Sequence, residues 1–443
     1  MITSAISDSE ATQIILDEFC SQTGLADVEH EIRQGSTRSV LVLRMANPTE
    51  RFFSVLQNVL SKLDDQPQTV TIERRTAKNR LDSPEARYFL RTLAESLNVS
   101  RNTFKDDFFA RYTNSGSNAE TQITAAANHV VFGRRGAGKS SLLLYAMRTR
   151  ERRNLPSAWI DMQVFEKRTD YALVLDVIRE MLQQTTVPPT KTIDRASALS
   201  EVDRLRKSAE AGDEQIRQLL PQVRSVISSS SVIAKDTFVF LDDFHVLDIS
   251  MQPKLLGYLY SIIRGTSTFL KLSSIETLTR TWDAKTHTGL QIPHDAQVIR
   301  LDYNLTMPDK AYSHIEGILD AHAVYCGLPS VKYLCTSPDV ISRLVWVSAG
   351  VPRDALNLFA QAMTKGVTEG RGQVSVTNIN VAASEMVSQK NVIWKPISTH
   401  TRMRSRSLKH SKKSRLSALR TTERMLFFSR SKTTINFISK FLN

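Results

Sequence analysis

Cysteine is scarce in this chain of 443 residues: there are three, Cys20, Cys326 and Cys335, and none forms a CxxC pair. Zinc cages and disulfide frameworks need cysteines at short, repeated spacings, so neither is expected. Long apolar runs are missing too. No stretch approaches the roughly 20 residues that cross a bilayer, and the opening MITSAISDSEAT has neither the basic nor the apolar segment of a secretory signal. The expectation is a cytoplasmic protein with no integral membrane segment. Acidic residues are nearly absent from one region only: residues 395–443 hold thirteen Lys or Arg against a single acid, Glu423. That region therefore carries +12 of the formal net charge of +13, and the remainder of the chain is close to neutral.

What is present is ordinary globular material, 41% hydrophobic and 23% charged, in a length that predicts two or three domains. Residues 1–112 read as a small α+β domain. Its pattern is a helix at 8–23, a strand at 39–44, a helix at 49–63, a strand at 69–74 and a helix that starts at Ser83-Pro84. The polar stretch 114–120 reads as a linker. Between 121 and 305 short apolar strands alternate with helices: strands at 129–132, 158–164, 237–241, 268–272 and 297–301, helices at 139–150, 171–184 and 254–264, and a charged helical insertion at 189–235. This alternation predicts an α/β class with a parallel sheet covered on both faces. Residues 306–390 show helical patterns only, a separate helical lid. Residues 391–443 form a basic tail whose Ser, Thr, Lys and Arg content does not favour a packed core.

Three segments carry chemistry. Gly133, Arg134, Arg135, Gly136, Ala137, Gly138, Lys139 and Ser140 fit G-x-x-x-x-G-K-[ST], with Ser141 next. Glycines let the backbone turn its N–H groups toward phosphate oxygens, and the helix that follows aims its positive end at the same place. Residues 133–141 are thus the expected ATP cradle, with Arg134 and Arg135 adding positive charge at its rim. Lys139 would reach the β- and γ-phosphates and Ser140 would hold Mg²⁺. About 100 residues on, Phe238-Val239-Phe240-Leu241 ends in Asp242 and Asp243. Asp242 would hold Mg²⁺ and Asp243 would orient or deprotonate the attacking water. The third segment, Gly350-Val351-Pro352-Arg353, starts a helix with an arginine after a Gly–Pro turn. His245, close behind the aspartates, has no nucleophile to pair with and reads as structural.

Together, HVVFGRRGAGKSSLL, TFVFLDDFHVL, SAGVPRDALNLFAQA and VSVTNINVAASEM resemble the AAA+ superfamily of P-loop ATPases, and the origin-recognition-complex type in particular, over residues 121–388. The resemblance implies ATP and Mg²⁺ as cofactors and Arg353 as the lid arginine that senses the γ-phosphate. A polar residue ending the fourth core strand, Ser273 or Ser274, would be the second sensor, and Ser274 is the choice. It further implies a homo-oligomer in which one subunit supplies an arginine to its neighbour; Arg264 and Arg280 are the candidates. Two departures stand out. Many relatives have Asp-Glu where this chain has Asp242-Asp243, which favours slow turnover and a switch-like role. Initiator-type relatives also carry a winged helix, for which the 50 or so residues after the lid are too few.

The fold expected is therefore α/β, a P-loop AAA+ parallel sheet core with a C-terminal helical lid, preceded by a small α+β domain and followed by a basic tail. The tail suits sequence-independent contact with nucleic-acid phosphates. The expected function is ATP binding and hydrolysis as a conformational switch acting with nucleic acid. The alternative is a signalling ATPase of the defence type that recruits a protein partner through residues 1–112.

Overall fold

The N-terminal elements pack by burying one face each. Helix α1 (Asp8–Thr23) turns Ile15, Leu16 and Phe19 inward. Strands β1 (Glu29–Gln34) and β2 (Ser39–Met45) run antiparallel, and helix α2 (Glu50–Ser61) then returns the chain to β3 (Thr69–Arg74), parallel to β2. Helix α3 (Pro84–Glu95) begins where proline fits the first helical position and where the Ser83 hydroxyl accepts the Ala86 N–H at 3.2 Å. Strand β1 was not foreseen. Every residue of EHEIRQ in it is exposed, so it has no apolar alternation to read. The structure, a computed structural model, describes residues 8–34, 39–63, 69–75, 79–115, 117–208, 212–233, 235–301 and 307–393. The basic segment from residue 395 onward lies outside them.

The chain then passes through α4 (Asp106–Arg111) and α5 (Ala119–Ile123). In the stretch expected as a linker, buried Glu120 accepts hydrogen bonds from the Tyr112 hydroxyl at 2.8 Å, the Ser115 N–H at 2.7 Å and the Ser115 hydroxyl at 2.9 Å. The α/β core follows: β4 (His129–Phe132), α6 (Lys139–Glu151), β5 (Ser157–Asp161), α7 (Ala172–Gln184), α8 (Thr192–Lys207), α9 (Asp213–Ser228), β6 (Thr237–Asp242), α10 (Met251–Ile263) and β7 (Thr268–Ser274). A short hairpin, β8 (Trp282–Asp283) with β9 (Thr288–Gly289), precedes β10 (Gln297–Arg300). The five core strands lie in the order β10-β4-β7-β6-β5, all parallel. Strands buried on both faces must be apolar throughout, which is why β6 reads Phe-Val-Phe-Leu. Strand β5 stops at Asp161, three residues before its expected end, because the Asp161 carboxylate accepts the Gln163 N–H at 2.9 Å and starts a 3₁₀ turn at 162–165.

Helices α11 (Pro308–Tyr325), α12 (Asp339–Val347), α13 (Pro352–Thr368) and α14 (Val376–Ile393) complete the described chain. The parallel sheet, the helical region after it and the α+β layer before it give the fold class expected from the sequence. Residues up to Val387 form one unit. Two apolar clusters fill the two sides of the core sheet, one around Val239, Leu241 and Ile178 and one around Val131, Phe238 and Leu143. A third cluster contains Phe19, Phe52 and Phe89 of the N-terminal layer together with Leu319, Leu344 and Phe359 of the helical region.

Candidate active site

Parallel strands deliver their C-terminal ends to one edge of the sheet, where ligands of such folds sit beside the point at which strand order reverses. Register aligns the ends here. Asp161 of β5 is paired with Asp242 of β6, and Phe132 of β4 is paired with Ser274 of β7. The glycine loop leaves β4 at this edge, and α6 starts at Lys139 with Gly138 before it. Gly136 and Gly138 have φ of +83° and +93°, values that side chains other than glycine tolerate poorly. The Lys139 ammonium donates to the Arg134 carbonyl at 3.2 Å, which folds it back across its own loop. Burial is the main influence that holds it below the ordinary lysine value, while Asp243 and Asp242 pull it upward.

The carboxylates are organised by hydroxyls. Ser140 donates to Asp242 Oδ1 at 3.0 Å, and Ser273 donates to the same oxygen at 2.5 Å. The Ser273 Oγ in turn accepts the Asp243 N–H at 2.8 Å. Burial pushes Asp242 up to about 6, and the neighbouring Asp243 and Asp161 carboxylates add to it. Asp243 itself has φ +53° and ψ +41°, a left-handed conformation that Asp and Asn adopt more readily than other side chains. Its Oδ2 accepts a hydrogen bond from Gln163 at 2.6 Å, and its Oδ1 lies 3.9 Å from His245 Nδ1. That ring nitrogen is buried without a hydrogen-bond partner, and burial keeps the imidazole below its ordinary value.

Sequence reasoning selected Ser274, whose hydroxyl pairs instead with Thr279 Oγ1 at 2.5 Å; it is Ser273 that faces the aspartates. Adjacent residues of a strand point to opposite faces, so only the register with β6 separates the two serines. Gln163 was missed altogether, since the contact joins residues 80 positions apart through a turn with no recognisable motif.

The helical region meets the glycine loop directly. The Arg353 N–H donates to the Gly136 carbonyl at 3.3 Å, and Arg134 donates to the Ala349 carbonyl at 3.1 Å. A Cβ on Gly136 would stand 2.9 Å from the Arg353 Cβ and 3.1 Å from Val351 Cγ1, so the turn into α13 lies against loop backbone that only glycine leaves open. The Arg353 side chain is exposed, and both Arg353 and Arg135 depress Lys139 by their charge. Of the other arginines singled out, Arg280 donates to Asp283 at 2.8 Å and Arg264 lies 5.9 Å from the Tyr260 ring centre. Among the described residues no helix is long and apolar enough to cross a membrane.

No protein-family model matches the chain, and no curated protein matches it. Solved structures do. The fold is similar to that of Cdc6p from Pyrobaculum aerophilum, at 14% identity and a TM-score of 0.40 over 67% of this chain and 75% of that one. It is similar to that of ORC1 from Aeropyrum pernix, solved in complex with DNA, at 14% identity and a TM-score of 0.41 over 65% and 69%. It is also similar to that of RuvB, the Holliday junction branch migration motor of Thermotoga maritima, at 10% identity and a TM-score of 0.34 over 62% and 73%. At these identities the likeness is one of fold: a parallel α/β sheet with a glycine loop at the C-terminal end of β4.

Proposed function

We propose that this chain is a conformational switch that binds ATP with Mg²⁺, hydrolyses it slowly and acts with nucleic acid. The observation that carries the reading is the convergence of Ser140 and Ser273 on Asp242 at the mouth of a glycine cradle capped by the Arg353 turn. The donor set fits Mg²⁺: a hydroxyl and a carboxylate side by side, in a group of three carboxylates whose mutual repulsion a divalent cation relieves. Ser140 and Asp242 would hold that ion, and when bound it supplies neutralising charge to the phosphates.

The phosphates lie against the N–H groups of residues 133–141, and Lys139 leaves the Arg134 carbonyl to reach the β- and γ-phosphates. Asp243 orients the attacking water through Oδ1, its Oδ2 being held by Gln163. The water oxygen bonds to the γ-phosphorus as the bond to the bridging oxygen breaks. The water proton passes to Asp243, and Lys139 meets the charge left on ADP. Ser273 takes the sensor position that the sequence reading gives to Ser274. Arg353 answers to the γ-phosphate and alters how the lid turn sits on Gly136. The basic segment 395–443 contributes phosphate-backbone contact, with affinity falling steeply as salt rises.

The experiment has two parts. Lys139→Ala should abolish binding of a fluorescent ATP analogue, and tight binding retained would sink the site assignment. ATP turnover by the full chain should rise with double-stranded DNA at low salt and lose that response when the chain is cut at residue 394. Turnover indifferent to DNA would shift the function to recruitment of a protein by the N-terminal layer.

A further inference from the structure

We propose that the N-terminal layer and the lid are one rigid body, so that the nucleotide site moves the N-terminal layer and not the lid alone. The inference rests on the nucleotide-binding reading given above. Its ground is the way the two regions are joined. Their apolar residues form a single buried cluster, and the Phe89 and Phe359 rings meet edge-on at 6.2 Å inside it. Side chains of the N-terminal layer press on the backbone of the helical region at two glycines. A Cβ on Gly366 of α13 would stand 2.7 Å from Leu81 Cδ1, and one on Gly327 would stand 3.1 Å from the Phe52 ring.

Polar groups fasten the same seam. Arg51 of α2 donates to the Tyr325 carbonyl at 2.9 Å and to the Thr23 carbonyl at 2.7 Å, with its guanidinium 4.0 Å from the Tyr325 ring centre. The Asn47 N–H donates to the Gly327 carbonyl at 2.9 Å, and the Leu81 N–H donates to the Gly372 carbonyl at 3.2 Å. An interdigitated apolar seam fastened by these hydrogen bonds favours movement as a unit over sliding.

The junction between lid and glycine loop is of another kind. Among the described residues it includes the two hydrogen bonds from Arg353 and Arg134 and the packing of Val351 and Arg353 over Gly136, while α4 bridges α11 and α6 to one side, with Arg111 over Tyr325 and Phe109 stacked on Tyr145. Helix α13 belongs to both junctions. Its first turn lies on the glycine loop, while Phe359, Met363 and Gly366 further along lie in the shared core. At 1.5 Å per residue, Gly366 stands about 20 Å from Arg353 along the helix. A tilt of about 10° at the first turn therefore carries the far end, and the N-terminal layer with it, roughly 3 Å. Helix α13 is a connecting rod between the phosphate cradle and the β1–β3 sheet.

The test is pulsed spin–spin distance measurement on the full chain. Cys20→Ser removes the half-buried thiol, Cys326 and Cys335 being buried. Labels are attached at the exposed positions Gln57 on α2, Thr364 on α13 and Ser261 on α10. With ADP or a non-hydrolysable ATP analogue, the Gln57–Ser261 and Thr364–Ser261 distances should shift together while Gln57–Thr364 stays fixed. A shift in Gln57–Thr364, or in Thr364–Ser261 alone, overturns the proposal. So does saturating binding of a fluorescent ATP analogue with all three distances unchanged. Failure of that analogue to bind would instead refute the nucleotide reading. Rigidity is then read by hydrogen exchange of the Phe89→Leu variant, which should speed exchange of α3 and α13 amides by a similar factor and leave β6 and β7 unchanged. Acceleration confined to α3 would show two separate bodies.

Discussion

Replacing Asp242 by Asn should stabilise the nucleotide-free protein and remove the Mg²⁺-dependent ATP turnover proposed for it. The magnitude follows from the position of the carboxylate. Burial and the adjacent carboxylates raise Asp242 from the ordinary aspartate value of 3.8 to about 6. The folded chain therefore holds this proton more tightly than the unfolded chain does. The stabilising contribution of the protonated group is fully present below pH 3.8 and is lost as pH rises through about 6. At pH 7.5 the ionised group costs the folded state about 3 kcal/mol, at 1.36 kcal/mol per unit of displacement. Asparagine keeps an oxygen that can accept from Ser140 and Ser273 and carries no charge. Thermal unfolding in EDTA at pH 7.5 should show the variant melting on the order of 5 °C above the parent. At pH 5 the gain should fall to about half, since the parent is then largely protonated. A gain of equal size at both pH values, or none at either, would refute the reasoning.

Three further outcomes are expected. Ser273→Ala should lower kcat by about tenfold or more, whereas Ser274→Ala should stay within about threefold, because only the first hydroxyl touches the aspartates; steady-state kinetics on both variants decides it. Gln163→Leu should lower kcat by about tenfold with KM nearly unchanged, as expected for loss of a group that orients Asp243 and touches no substrate; a rise in KM alone would count against it. Gly136→Ala and Gly138→Ala both force a side chain into positive φ, at about 1–2 kcal/mol each. Only Gly136→Ala also meets Arg353 and Val351, so it should melt lower than Gly138→Ala; equal melting would argue against close seating of the lid turn.

The α/β class was legible because its strands are short, apolar and separated by helical periods. The glycine loop was legible because its chemistry demands particular residues at local spacing. Strand β1 was not, for an edge strand exposed along its whole length carries no pattern that distinguishes it from a loop. Ser273 could not be separated from Ser274, because alternation assigns faces only once the register with β6 is known. Gln163 and the shared core of Phe89 with Phe359 depend on contacts between distant parts of the chain, which local periodicity does not encode.

The left-handed turn at Asp243 bears on how this site can change over evolution or in the laboratory. If Asp243 orients water as proposed, a glutamate, with its longer reach, looks like a simple substitute. The backbone at φ +53° resists it, because Asp, Asn and Gly enter that region far more readily than Glu. On the proposed function, turnover and turn geometry are therefore linked: a change to glutamate here works against the left-handed backbone at position 243, and the turn as it stands favours aspartate.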